Sequence, residues 1–95
     1  MDNYFRGGPS LVPRPIDVII NPKTGLLSPM RGVSIFDHPK GLERFGGDYE
    51  VGPIPESLMI IQRGRDPHHF EIVPVYPMPL DEYEVELAKT PLKPT

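Results

Sequence analysis

The sequence has no cysteine and no excess of basic charge, and each absence excludes a class of protein. Without cysteine there is neither a disulfide framework nor a thiolate metal site. Because small secreted domains usually depend on such supports, a reducing, cytoplasmic location is expected. With 10 basic and 13 acidic residues the formal net charge is −3. This argues against binding of duplex nucleic acid, although two or three arginines could still hold a small polyanion.

Long apolar runs are also missing. None approaches the roughly 20 residues that a membrane-spanning helix needs, so no membrane contact is expected. The opening residues Met1 to Arg6 lack the apolar stretch of a signal peptide. The 95 residues are therefore read as one small domain, 1–95, with a single core.

Turn-forming residues are abundant. The chain has 14 prolines and 9 glycines without any period, a composition that forbids long helices and limits strands to short segments. The order of elements predicts an α+β fold, a small mixed or antiparallel sheet with short helices. The predicted strands are Tyr4–Arg6, Ile16–Ile20, Val33–Phe36, Asp48–Val51, Leu58–Arg63 and His68–Pro74, the last two forming a hairpin. A single helical turn is predicted over Lys40–Arg44, a helix with an acidic solvated face over Leu80–Ala88, and an irregular tail over Pro91–Thr95.

Three groups of residues could carry chemistry. His69 and Glu71 share one face of a strand, where they could transfer protons or bind a sugar hydroxyl, or could be ordinary polar residues of a solvated face. Ser34, within an apolar strand, could bind a ligand or only its neighbouring backbone, and it lacks the glycine-flanked elbow of a hydrolase nucleophile. Arg6 precedes Gly7-Gly8, which would allow a phosphate to approach, although a surface arginine is the simpler reading.

Metal binding is not expected. His68 and His69 are adjacent in a strand and should face opposite sides, so they cannot easily share one ion. His38 is the remaining histidine, and cysteine is absent. The pattern predicts no zinc site.

Several blocks in order resemble the type VI-secreted cytotoxins whose fold is similar to ADP-ribosyltransferases. The likeness extends from about Ile16 to Leu87. Its blocks are Asp17-Val18, Thr24-Gly25-Leu26, Gly32-Val33-Ser34-Ile35-Phe36-Asp37, Gly47-Asp48-Tyr49, Ile54-Pro55-Glu56-Ser57-Leu58, and His69-Phe70-Glu71-Ile72-Val73-Pro74 with Pro77-Met78. The resemblance implies a bacterial toxin that uses NAD as cosubstrate. It would transfer ADP-ribose to an unknown target macromolecule, or cleave NAD, in a target cell's cytoplasm. A cognate immunity or antitoxin protein would neutralise it.

The resemblance also implies roles for individual residues. Arg6, Gly7, Ser34 and Phe36 would bind NAD, and Ser34 and His69 would be catalytic. Glu71 joins the catalytic set because it shares the strand face of His69. Two alternatives stay open, a catalytically inactive binding module of the same fold and a small RNA-directed toxin that uses His69 and the arginines.

Overall fold

The computed structural model describes residues 3–95 and shows a compact domain with one helix on a six-stranded sheet. The strands are β1 Tyr4–Gly7, β2 Val33–Phe36, β3 Asp48–Val51, β4 Leu58–Gln62, β5 His69–Pro74 and β6 Leu92–Pro94, and the helix α1 is Leu80–Ala88. Two 3₁₀ helices, Pro15–Asp17 and Glu43–Phe45, complete the regular structure. Every pairing is antiparallel, in the order β4-β5-β2-β1-β3-β6. The predicted α+β class is therefore confirmed.

The sheet has a narrow junction at its centre. Strands β4, β5 and β2 pair along most of their length, and so do β1, β3 and β6. The two halves meet only where β1 pairs with β2, and the register there consists of the single pair Phe5 and Phe36. Beyond that pair the register of β1 with β2 contains no further paired residues.

The core lies between the sheet and α1. Val33, Ile35 and Ile72 on the sheet pack with Tyr83 and Leu87 of the helix. The period of three and four residues between Leu80, Tyr83 and Leu87 had predicted both the helix and its buried face. Asp81, Glu82 and Glu84 are exposed, as the acidic pattern predicted.

The predicted strand Ile16–Ile20 is wrong. Pro15–Asp17 is a 3₁₀ helix, and Ile20 forms only an isolated bridge with Leu27. The cause is local, because the Asp17 carboxylate accepts a hydrogen bond of 2.7 Å from the Arg14 backbone N–H, and Pro15 occupies the first helical position. A side-chain cap and a proline with a preset φ together outweigh the β propensity of isoleucine and valine.

Two other predicted elements need correction. The helical turn lies at Glu43–Phe45 rather than Lys40–Arg44, and left-handed Gly46 ends it. The predicted irregular tail contains β6, which pairs with β3 in the register Glu50 to Lys93. Edge pairing of this kind depends on a strand more than 40 residues away. Three residues that follow Pro91 and end in Pro94 therefore gave no local signal.

Candidate functional site

Ser34 and His69 meet on one face of the sheet. The register pairs Ser34 of β2 with Glu71 of β5, and Phe36 with His69. All four side chains therefore lie on the same face of the sheet. Ser34 Oγ lies 3.0 Å from His69 Nε2. The structure thus brings together two residues that lie 35 positions apart in the sequence and on separate strands.

The protonation pattern of this pair follows from the second ring nitrogen. His69 Nδ1 lies 2.7 Å from the backbone oxygen of Arg63, which can only accept. In the neutral ring Nδ1 therefore carries the hydrogen and Nε2 accepts from the Ser34 hydroxyl. A hydroxyl bonded to an imidazole that a third group orients is the arrangement in which a histidine can take a proton.

Glu71 lies behind this pair and is only 3 % exposed. Its Oε1 accepts a hydrogen bond of 2.9 Å from the Gly32 N–H and is 3.5 Å from Arg63 Nε, while its Oε2 is 3.8 Å from His69 Nε2. The carboxylate thus holds the start of β2 and places negative charge close to the imidazole. Its burial makes direct contact with a bound molecule difficult, so its influence would pass through His69.

The Arg6 side chain extends from β1 to the backbone of β2. Its Nη1 donates to the Ser34 backbone oxygen at 2.8 Å, and its Nε donates to the Ser10 oxygen at 3.0 Å. Burial lowers the pKa of Arg6 from its ordinary value, although a guanidinium remains charged at any accessible pH. Two N–H groups are used in these contacts, which leaves others for a ligand.

A cavity of about 330 Å³ opens beside the contact between Arg6 and Ser34. Its lining residues are Arg6, Gly7, Arg14, Ser34, Phe36, Leu42 and Phe45. All four residues that the resemblance assigned to NAD binding are among them. A Cβ on Gly7 would lie 2.7 Å from Phe45 Cδ2, so the 3₁₀ helix can cover the cavity only because this position is glycine.

Arg14 at the cavity wall is held by Asp17. The Arg14 side chain donates to Asp17 at 3.3 Å from Nε and 3.1 Å from Nη2. Burial acts to raise the pKa of the Asp17 carboxyl, but the hydrogen bonds from Arg14 and the charge of Arg6 hold it below its usual value. Asp17 therefore supplies a stable negative charge near two arginines that border the cavity.

The sequence reasoning missed several residues. Asp17 was hidden in the wrongly predicted strand, and the Arg63 carbonyl has no side-chain signal. The alternation that separated His68 from His69 is observed, because His68 Nδ1 contacts Asp37 Oδ1 at 2.9 Å on the other side. Pairing the strand ends of β2 and β5 could have predicted that contact.

Another cavity of about 340 Å³, between residues 9–13 and α1, contains none of the predicted site residues.

Comparisons of the chain with protein-family models, with curated proteins and with solved structures found no match. The resemblance to ADP-ribosyltransferase-like toxins therefore stays a prediction. Within residues 3–95 no helix has the length and apolar character required to cross a bilayer.

Proposed function

We propose that the chain is a small toxin of ADP-ribosyltransferase type that binds NAD in the cavity between β1 and β2. One observation carries the proposal. Arg6, Gly7, Ser34 and Phe36 line the same cavity, and Ser34 is bonded to His69 at 3.0 Å. Arg6 and Gly7 are neighbours on β1, Ser34 and Phe36 share a face of β2, and the pairing of these two strands places all four at one cavity.

The size of the cavity limits how the ligand would bind. A volume of about 330 Å³ is at the lower end of the range for small-molecule pockets. It suits the nicotinamide and its ribose, with Phe36 and Phe45 as apolar walls. The pyrophosphate would then lie outward toward Arg6 and Arg14, because arginine binds phosphate oxygens in a bidentate manner.

The chemistry proposed for this site is cleavage of the nicotinamide glycosidic bond. The bond between ribose C1′ and the pyridinium nitrogen breaks, and its electron pair goes to nicotinamide, which leaves as a neutral molecule. The acceptor's nucleophilic atom forms the new bond to C1′, and His69 Nε2 takes its proton. Ser34 Oγ would orient a ribose hydroxyl, and the buried Glu71 carboxylate would stabilise the imidazolium that forms.

A protein partner is part of the proposal, since a toxin of this type needs an immunity or antitoxin protein in its producer. The segment between Val12 and Met30 suits such a contact. It carries large apolar side chains that are well exposed, with Val12 at 65%, Ile16 at 67% and Met30 at 70%. Exposed apolar side chains in one segment are typical of surfaces that bind another protein.

The test is release of nicotinamide from NAD by the purified full chain, measured by chromatography. Ser34→Ala and His69→Gln are each expected to reduce the rate by about 100-fold or more, as for loss of a group that acts in proton transfer. Thr24→Ala and Arg65→Ala, which change exposed residues away from the cavity, are the matched controls and should keep the rate.

Calorimetric titration with NAD decides between the proposal and the inactive module. Binding without nicotinamide release, equally in the wild type and in His69→Gln, would favour a binding module of the same fold. Absence of both binding and release, in a chain that is folded by circular dichroism, would reject the NAD site.

A further inference from the structure

A second cluster of titratable side chains lies just beyond the Phe36–His69 end of the β2–β5 pair. Asp37 and His38 follow β2, and His68 precedes β5. The Asp37 N–H donates to the His68 oxygen at 3.3 Å, which continues the register of the two strands. One carboxylate oxygen of Asp37 and one nitrogen from each histidine all lie within 4.8 Å of one another.

The His38 ring makes no hydrogen bond to any residue in the described part of the chain. Within residues 3–95 its side chain has no hydrogen-bonding partner, and its Nδ1 is buried. Its one described ring contact is with His68, edge to face, with centroids 4.9 Å apart. A buried nitrogen without a partner costs free energy, and a cation could bind to this ring without displacing any protein hydrogen bond.

The His68 ring contacts the carboxylate of Asp37. The distances from His68 Nδ1 to the two carboxylate oxygens are 2.9 Å and 3.2 Å. The contact holds an imidazole and a carboxylate side by side, and both groups are ligands that divalent transition metals accept. By contrast, both ring nitrogens of His69 are already bonded, to Arg63 and Ser34.

From these contacts we propose that Asp37, His38 and His68 bind a divalent transition-metal ion, for which zinc is the best match. Zinc accepts nitrogen and carboxylate oxygen ligands, and with three protein ligands it keeps a position open for water or another group. Tetrahedral ligands stand roughly 3.3 Å apart, so the cluster must contract. The His68 side chain, 55% exposed, is free to move inward.

A bound ion would crosslink the end of β2 to the start of β5. The ion would tie two loops together one residue from Phe36 and His69, without using either of them. The proposal is therefore independent of the NAD site and differs from the expectation, drawn from the sequence, that no zinc site exists. That expectation considered His68 with His69, whereas the structure groups His68 with His38.

The test is calorimetric titration of Zn²⁺ into the full chain after dialysis against a chelator. The wild type is expected to bind one ion, and His38→Gln and His68→Gln should each weaken the affinity at least tenfold, as expected for loss of one of three ligands. His69→Gln removes the third histidine of the chain and should retain zinc affinity within about twofold. Circular dichroism without metal checks that each variant is folded.

Thermal unfolding gives an independent measurement. Zinc at about 100 times its dissociation constant should raise the Tm of the wild type by roughly 10 °C or more. The same addition should leave the Tm of His38→Gln nearly unchanged. Failure of the wild type to bind zinc, or equal affinity in the wild type and both ligand variants, would overturn the proposal.

Discussion

At the scale of single residues, Tyr83 completes the pairing of β2 with β5. Its hydroxyl donates to the Ile72 oxygen at 2.6 Å and accepts from the Val33 N–H at 3.0 Å. Strand β2 begins at that point, and one buried phenol satisfies both backbone groups. The position before Val33 must be glycine, because a Cβ on Gly32 would lie 1.8 Å from the Ile72 backbone oxygen.

Tyr83→Phe is expected to lower the free energy of unfolding by about 2–4 kcal/mol, because it leaves a buried N–H and a buried carbonyl without partners. Urea denaturation at neutral pH measures the change. Tyr76→Phe, at a tyrosine that is 50% exposed, is the matched control and should change stability by less than about 0.5 kcal/mol.

The same residue predicts a loss of stability at high pH. Burial raises the pKa of Tyr83 to about 12, above the ordinary value of 10.0 that it regains on unfolding. Its protonated form therefore stabilises the fold fully below pH 10, and this contribution, on the order of 2–3 kcal/mol, disappears as the pH rises toward 12. Urea denaturation at several pH values should show a steeper decline for the wild type than for Tyr83→Phe. Equal slopes would contradict the assignment.

Gly32→Ala should be among the most damaging single substitutions in the chain. The added methyl group collides with backbone, which cannot move without breaking the β2–β5 pair, so a loss above about 4 kcal/mol or failure to fold is expected. Gly25→Ala is the comparison, since a Cβ there meets nothing within 4 Å and only the positive φ of 72° opposes it. That change should cost roughly 1 kcal/mol.

At the scale of secondary-structure elements, α1 depends on a narrow apolar stripe. Tyr83 and Leu87 are buried, whereas Val85 is 57% exposed. A nine-residue helix is too short to be stable alone, so packing of this stripe on the sheet decides whether it forms.

Leu87→Ala should therefore lower the free energy of unfolding by about 3 kcal/mol, through lost burial and the cavity left behind. Val85→Ala removes a similar side chain from the exposed face and should be nearly neutral, since alanine favours the helix. Thermal unfolding of the two variants side by side measures the difference. Similar losses in both would mean that the stripe does not bear the packing.

At the scale of the whole molecule, the two halves of the sheet are unequally buried. Strands β2 and β5 include Val33, Ile35, Ile72 and Val73, each at 0% exposure. Strands β1, β3 and β6 contain no fully buried residue. Because the two halves share only the register pair of Phe5 and Phe36, we expect β3 and β6 to gain little stability from the well-buried strands β2 and β5.

Native-state hydrogen exchange should show this asymmetry. Amides of β3 and β6 are expected to open at a lower free energy than those of β2 and β5, because few buried apolar contacts oppose local opening. Uniform protection across the sheet would show instead that the six strands open as one unit. A lower protection in β1 would also place the wall of the cavity in the more mobile half.

The sequence alone determined the α+β class, five of the six strands to within one residue, and the helix Leu80–Ala88. These elements follow from local periodicity and from turn residues, which act over a few positions. It also predicted that His69 and Glu71 share a face, because alternation along a strand needs no tertiary information. It failed at Ile16–Ile20 and at β6, where a side-chain cap and a distant strand decide the conformation.

Only the tertiary structure decided which residues meet. The bond between Ser34 and His69 depends on the register of β2 against β5, and a shift of one residue would turn Ser34 to the opposite face. The cavity beside Arg6 depends on how β1 pairs with β2. The cluster of Asp37, His38 and His68 depends on where β2 ends and β5 begins. Such contacts are set by packing between segments far apart in the chain, for which the local pattern carries no signal.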